Sequence, residues 1–251
     1  MKPEFKLHSD ETGSDYNIYA VAPSTSETSD VLPCILFMDG DDQFSAAADA
    51  YRVLRKAKKI PPLLLVGVGY GASYSKPANR RGRDYTPTQH SDEPTSGGAN
   101  AFLSFLSVSL WPELQRRYPI DNSSRGIAGH SLGSLLVLHA LWYEPPFFNR
   151  FLASSPSIWW DDRSILRIAE DRHRRNPLLT GNLFLSVGEA DSKSMTGDLT
   201  ILEQWLESAP FSGLTVTTER FPKRNHFNAL PDAFRGGLMT LYGTATDAVR
   251  E

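Results

Sequence analysis

The apolar positions of this 251-residue chain fall mainly into unalternating runs. Residues 32–38 and Leu63-Leu64-Leu65-Val66-Gly67-Val68 are each nearly continuous, the pattern of strands buried on both faces. Between them, residues 46–59 are rich in helix formers, so strand, helix and strand follow in the order of a parallel crossover unit. An earlier run, Tyr16-Asn17-Ile18-Tyr19-Ala20-Val21, is dominated by aromatic and β-branched residues and predicts another strand. Further extended segments are expected at 125–130, 151–155, 183–187 and 214–218. Helices are expected near 99–118, 132–143, 163–174, 196–208 and 229–242, with Pro112 bending the first of these. The pattern therefore predicts a central sheet flanked by helices and one domain spanning 1–251. Two connections stand out. Residues 23–30 are rich in Ser and Thr and read as a surface loop. Residues 74–98 are polar and broken by Pro77, Pro87 and Pro94, a length of connection that is usually functional or mobile.

The most informative pentapeptide is Gly129-His130-Ser131-Leu132-Gly133, with an extended segment before it and a helical run after it. A sharp strand-to-helix turn of this kind needs small neighbours, because its central residue takes a strained conformation that exposes the hydroxyl. The helix N-terminus also favours negative charge developing beside Ser131. A serine nucleophile needs a base held in one tautomer, and on the α/β-hydrolase plan the order is serine, acid, histidine. Three histidines follow Ser131. His139 lies within the next helix, His173 in an Arg-rich stretch, and His226 in a loop beyond a strand expected to end near Phe221. His226 is the expected base. The acid should leave the preceding strand, where Gly188-Glu189-Ala190-Asp191 offers two carboxylates between which the pattern does not decide.

Beyond these residues the chain resembles the esterase family of α/β-hydrolase fold that includes enterochelin and bacillibactin esterases, S-formylglutathione hydrolase, antigen 85 mycolyltransferases and feruloyl esterases. The likeness runs through Met38-Asp39-Gly40-Asp41, Arg83-Asp84-Tyr85-Thr86-Pro87, the serine turn, Ser155-Pro156-Ser157-Ile158-Trp159-Trp160 and the His226 loop. It is strongest to the siderophore, enterochelin-esterase-like branch. The resemblance implies a three-layer sandwich around a mostly parallel sheet and favours Asp191 over Glu189 as the acid. It also implies an oxyanion hole made by the backbone N–H groups of Asp41 and Leu132. In that branch an arginine near Arg83 would face an acidic or catecholate ligand, and Trp159 or Trp160 would line an aromatic acyl pocket. The chain departs from the branch where Tyr-Gly-Gly often follows the nucleophile, having Leu132-Gly133-Ser134 instead. No counterpart of the accessory N-terminal domain of some enterochelin esterases is expected.

Composition narrows the partners. With 26 basic and 29 acidic residues the formal net charge is −3, which gives no excess positive field for nucleic acid. No apolar stretch approaches the roughly 20 residues needed to span a bilayer, and the N-terminus carries no apolar signal core, so a cytoplasmic location is expected. The single cysteine, Cys34, excludes an internal disulfide and reads as a buried hydrophobe in the strand before the Asp39-Gly40 turn. Asp39-Gly40-Asp41-Asp42 reads as a turn rather than a metal loop, and the chemistry requires neither metal nor cofactor. The expected protein is a serine carboxylic ester hydrolase, monomeric or homodimeric, acting on a small carboxylic, acetyl or feruloyl-type ester. A siderophore trilactone is the alternative substrate. Acyl transfer to another acceptor, or ligand binding without catalysis, are the alternative activities on the same scaffold.

Overall fold

The computed structural model describes residues 1–23 and 31–244; the Ser/Thr-rich loop, from residue 24 onward, lies outside the described residues. Eight strands form one sheet: β1 (Phe5–Ser9), β2 (Ser14–Val21), β3 (Leu32–Phe37), β4 (Leu64–Gly69), β5 (Ile120–His130), β6 (Arg150–Ser154), β7 (Leu178–Gly188) and β8 (Ser212–Phe221). Their order across the sheet is β1-β2-β4-β3-β5-β6-β7-β8. β2 pairs antiparallel with both β1 and β4, and every pairing from β4 to β8 is parallel. Helices cover both faces, giving the three-layer α/β-hydrolase architecture.

The unalternating runs have a direct cause. On β3, Cys34 and Leu36 pack into one apolar cluster, whereas Ile35 and Phe37 pack into a second on the opposite face. The second is closed by α1 (Phe44–Lys56) and α8 (Leu230–Tyr242), where Phe37 meets Phe234 edge-on at 5.2 Å. Such an aromatic pair adds about 0.5–1.5 kcal/mol beyond its area burial. The first contains α5 (Leu132–Trp142), on which every residue from Gly133 to Trp142 is buried. A helix apolar on all sides belongs inside a protein, and this one forms the floor beneath Ser131.

The structure departs from the expected elements in places that matter for the site. The strand at Phe5–Ser9 is not among the expected elements: it is only five residues long and lies at the sheet edge, outside the unalternating runs, although Lys6 and His8 alternate with apolar residues as a half-buried strand requires. The helix expected over 99–118 is α3 (Ala99–Ser104), a π-helical turn (Phe105–Leu110) and α4 (Trp111–Arg117). Pro112 stands at the start of α4 directly after the π-helical turn, within helical backbone that continues unbroken from α3. The long connection is pinned rather than loose. It contains the short helix α2 (Arg81–Asp84), whose Asp84 accepts hydrogen bonds from Tyr16 (2.7 Å) and Tyr70 (3.1 Å). α6 (Trp160–Arg175) starts earlier than expected, through Asp161, Asp162 and Arg163 in left-handed conformations with φ of 45°, 49° and 59°. Arg167 donates to the carbonyls of Asp161 and Asp162, and Arg163 pairs with buried Asp198 at 2.7 Å. These bonds offset a conformation that costs roughly 1–2 kcal/mol per residue. α7 (Lys193–Ser208) completes the helices.

Candidate active site

The candidate residues gather at the carboxyl ends of β3, β5, β7 and β8, where open parallel sheets place their ligand crevices. Ser131 sits between β5 and α5 with φ 60° and ψ −122°, a strained conformation for a residue with a side chain. The surrounding glycine has a steric reason. A Cβ on Gly129 would stand 2.3 Å from the Gly133 carbonyl carbon, so the turn closes only without one. The Ser131 N–H donates to the Ser154 carbonyl at 3.0 Å, and the Ser134 hydroxyl lies between the carbonyls of Gly129 (2.7 Å) and Ser154 (2.6 Å). Ser134, where the related branch often has glycine, thus ties the turn to the neighbouring strand. The Ser131 hydroxyl meets that of Ser157 at 3.3 Å.

His226 Nδ1 lies 2.9 Å from Asp191 Oδ2, and the Asp191 side chain is 3% exposed. Glu189 is exposed to solvent, two residues away. The two loops are stitched together by backbone. Glu189 N–H donates to the Phe221 carbonyl (3.0 Å) and Ala190 N–H to that of Arg224 (2.8 Å). This approach requires Gly188, since a Cβ there would lie 2.2 Å from the Arg224 carbonyl oxygen. No hydrogen bond joins Ser131 to His226 here; such contacts commonly tighten only with substrate bound.

Two backbone donors are expected to serve the site. The Leu132 N–H opens α5 and the Asp41 N–H belongs to the turn after β3, and neither has a protein acceptor among the described residues. The acidic turn is held by its own carboxylates. Asp41 accepts from the Tyr19 hydroxyl (2.5 Å) and from the N–H of Tyr70 (2.5 Å) and Gly71 (3.0 Å). Asp39, fully buried and left-handed at φ 54°, forms a two-point ion pair with Arg81 at 2.8 and 2.9 Å. Burial raises the Asp39 pKa while Arg81 opposes that rise. Among the described residues no three His, Cys, Asp or Glu side chains are placed to hold a metal ion. Cys34 is buried, and desolvation pushes its thiol pKa up.

A cleft of about 560 Å³ opens beside Leu132, lined by Tyr74, Arg80, Arg81, Arg83 and Glu93. The three arginines differ. Arg83 donates to Asp84 (2.6 Å), the Thr12 carbonyl (3.1 Å) and Ser14 (3.0 Å), so its guanidinium ties the β1–β2 turn to α2. Arg81 is held by Asp39. Arg80 is exposed, and its side chain has no hydrogen bond or ion pair among the described residues. The tryptophans differ too. Trp160 is buried and donates to the Thr88 carbonyl at 3.1 Å, whereas Trp159 is 47% exposed two residues beyond Ser157. Of the two, Trp159 is the indole open to a ligand.

Sequence reasoning passed over His130 and Phe227. His130 lies beneath the site and Phe227 projects from the His226 loop, 81% exposed. A large apolar residue directly after the expected base was a readable signal for Phe227. Nothing in one sequence marks which way the residue before Ser131 points.

Comparison with known proteins shows the family. Residues 9–209 match the profile of the Esterase family, described as "Putative esterase". The chain is 30% identical over 237 residues to the ferri-bacillibactin esterase BesA of Bacillus subtilis, covering 86% of this chain and 81% of that protein. It is 38% identical over 144 residues to the siderophore triacetylfusarinine C esterase of Aspergillus fumigatus, covering 55% of this chain and 49% of that one. Among solved structures, the BES protein from Bacillus cereus superposes with a TM-score of 0.85 at 26% identity, over 96% of this chain and 95% of that one.

Proposed function

Because the chain belongs to the Esterase family and is an ester hydrolase of the α/β-hydrolase fold, we propose that it hydrolyses the ester bonds of a siderophore trilactone, with Ser131 as nucleophile, His226 as base and Asp191 as the acid that orients it. The observations that support the catalytic part are the strained Ser131 turn at the end of β5 and, in the loop after β8, a histidine whose Nδ1 lies against a buried carboxylate. His226 Nε2 takes the Ser131 proton as Oγ attacks the ester carbonyl carbon. The N–H groups of Asp41 and Leu132 receive the negative oxygen, and preorganised donors of this kind need little reorganisation as the charge forms. The tetrahedral species then expels the alcohol, which takes the proton from His226. A water molecule, deprotonated by the same ring, cleaves the acyl-serine and releases the acid. The buried Asp191 carboxylate holds the Nδ1–H tautomer and offsets the imidazolium charge.

For the substrate, relatives named as a ferri-bacillibactin esterase and a siderophore triacetylfusarinine C esterase support the trilactone over the small or feruloyl ester that the sequence alone favoured. Within this chain, the support is an uncommitted guanidinium, Arg80, in a cleft that Leu132 also lines, together with an exposed indole, Trp159, two residues beyond Ser157. A cation and an exposed aromatic face suit an anionic aromatic ring better than an acetyl group. The test is a comparison of kcat/KM on p-nitrophenyl acetate, p-nitrophenyl butyrate, a feruloyl ester and a catecholate trilactone. A specificity constant at least about 100-fold higher on the trilactone supports the proposal; a preference for any of the others overturns it. In parallel, Ser131→Ala should lower turnover by several orders of magnitude without loss of fold.

A further inference from the structure

The imidazole of His226 is flanked by two rings. The His130 centroid lies 4.5 Å away, tilted by 43°, and that of Phe227 lies 5.5 Å away, edge-on at 88°. The Asp191 bond fixes Nδ1 but leaves the ring free to swing about that point, so the direction of Nε2 depends on what its faces meet. Phe227 is 81% exposed and has little behind it, whereas His130 is 5% exposed and anchored. His130 Nδ1 sits 3.1 Å from the Ser154 hydroxyl at the end of β6. Its buried Nε2 makes no hydrogen bond of good geometry among the described residues, although the His226 backbone comes close enough to favour the charged ring slightly.

We propose that His130 is a positioning residue for the base, a rigid neutral wall against which His226 sets its ring so that Nε2 faces Ser131. An ordinary packing residue need only fill this space. His130 is a flat ring, fixed by a hydrogen bond from the adjacent strand and placed one residue before the nucleophile, so the turn and the base share a reference. It also stays uncharged while its neighbour cycles. Burial, then the nearby His226 and Arg81, lower its pKa to about 3. When His226 becomes an imidazolium it therefore faces the Asp191 carboxylate at Nδ1 and a neutral ring on its face. A charged residue at position 130 would oppose that step.

The inference rests on His226 being the base, and its test separates the two. Uptake of a serine-directed phosphonate reports the Ser131–His226 pair without reference to the natural substrate. It is measured together with kcat, KM and the pH dependence of kcat/KM on p-nitrophenyl acetate, for wild type, His130→Leu and His130→Phe. His130→Leu should lose about 10- to 100-fold in kcat and in labelling rate while KM changes less than about two-fold. Its acid limb should move by about half a pH unit or more. His130→Phe, which keeps a flat neutral ring, should recover most of the loss. Should His130→Leu fail to fold, His130→Asn, which keeps a partner for Ser154 but no ring, is expected to show the same loss. Wild-type rates and an unmoved limb in the ringless variant, or equal losses in the Leu and Phe variants, overturn the positioning role. Absence of labelling in the wild type overturns the serine-hydrolase assignment instead.

Discussion

Asp191 and His226 lie on different loops, after β7 and β8, yet Oδ2 and Nδ1 stand 2.9 Å apart with the carboxylate almost wholly out of solvent. A hydrogen bond to an ionised group in such surroundings is worth more than one at the surface. Glu189, two residues earlier, points to solvent and has no part in that contact. Asp191→Asn should therefore lower kcat by about 100- to 10,000-fold, because the amide favours the wrong tautomer of His226. Glu189→Gln should stay within about two-fold of wild type, as surface substitutions usually do. Steady-state rates on one chromogenic ester decide it, and a larger loss in Glu189→Gln reverses the assignment.

Arg80 and Arg83 should separate binding from stability. Arg83 holds Asp84, Thr12 and Ser14, so Arg83→Ala should lower the melting temperature, with a cost of about 1–3 kcal/mol for the partly buried partners left unpaired. Arg80→Ala removes a side chain that supports nothing. It should leave the melting temperature alone and raise KM for an anionic aromatic ester about 10-fold, since a hydrogen bond to a charged group contributes roughly 1.5–3 kcal/mol. Thermal melts and KM for both variants test this, and the reverse pattern would sink it.

The Asp39–Arg81 pair joins the turn after β3 to α2, with Asp39 fully buried and Arg81 mostly so. Arg81→Met leaves a carboxylate without its counter-charge, and breaking a buried pair in this way costs about 3–5 kcal/mol. Asp39→Asn combined with Arg81→Met should be less destabilised than Arg81→Met alone, because asparagine tolerates the left-handed backbone and carries no charge. Urea denaturation of the single and double variants measures the difference.

Acid sensitivity follows from buried neutral histidines. His139, whose Nε2 lies 2.7 Å from the Asn100 side-chain oxygen, has its pKa lowered from 6.5 to about 4 by burial. The unfolded chain thus binds this proton at a higher pH than the folded one. The stability associated with neutral His139 is complete above about pH 6.5 and is lost as pH falls toward about 4. At pH 5 the loss is about 2 kcal/mol, at 1.36 kcal/mol per pH unit below the unfolded value. His130, lowered to about 3, acts in the same direction. The gap in unfolding free energy between wild type and His139→Gln should shift by this amount between pH 7 and pH 5; a constant gap would refute the linkage.

The sequence by itself determined the sheet's buried strands, the Ser131 turn and the order of serine, acid and histidine. Each is written in local terms: an unbroken apolar run needs cover on both faces, and a glycine-flanked serine before an apolar helix admits few conformations. What the tertiary structure alone decided is contact between segments far apart in the chain. Asp191, which family resemblance favoured but residue pattern did not, meets His226 while Glu189 stays in solvent, where Gly188 lets the Arg224 carbonyl come close. Arg83 was committed to Asp84, Thr12 and Ser14, and Arg80 left open, by where the β1–β2 turn meets α2. Trp160 went into the core and Trp159 out at the start of α6, just ahead of three left-handed residues that no periodicity encodes. His130 gained its place against His226 because β5 and β8 end on the same side of the sheet. Such choices depend on side-chain direction and burial, which local pattern leaves open until the strands have been brought together.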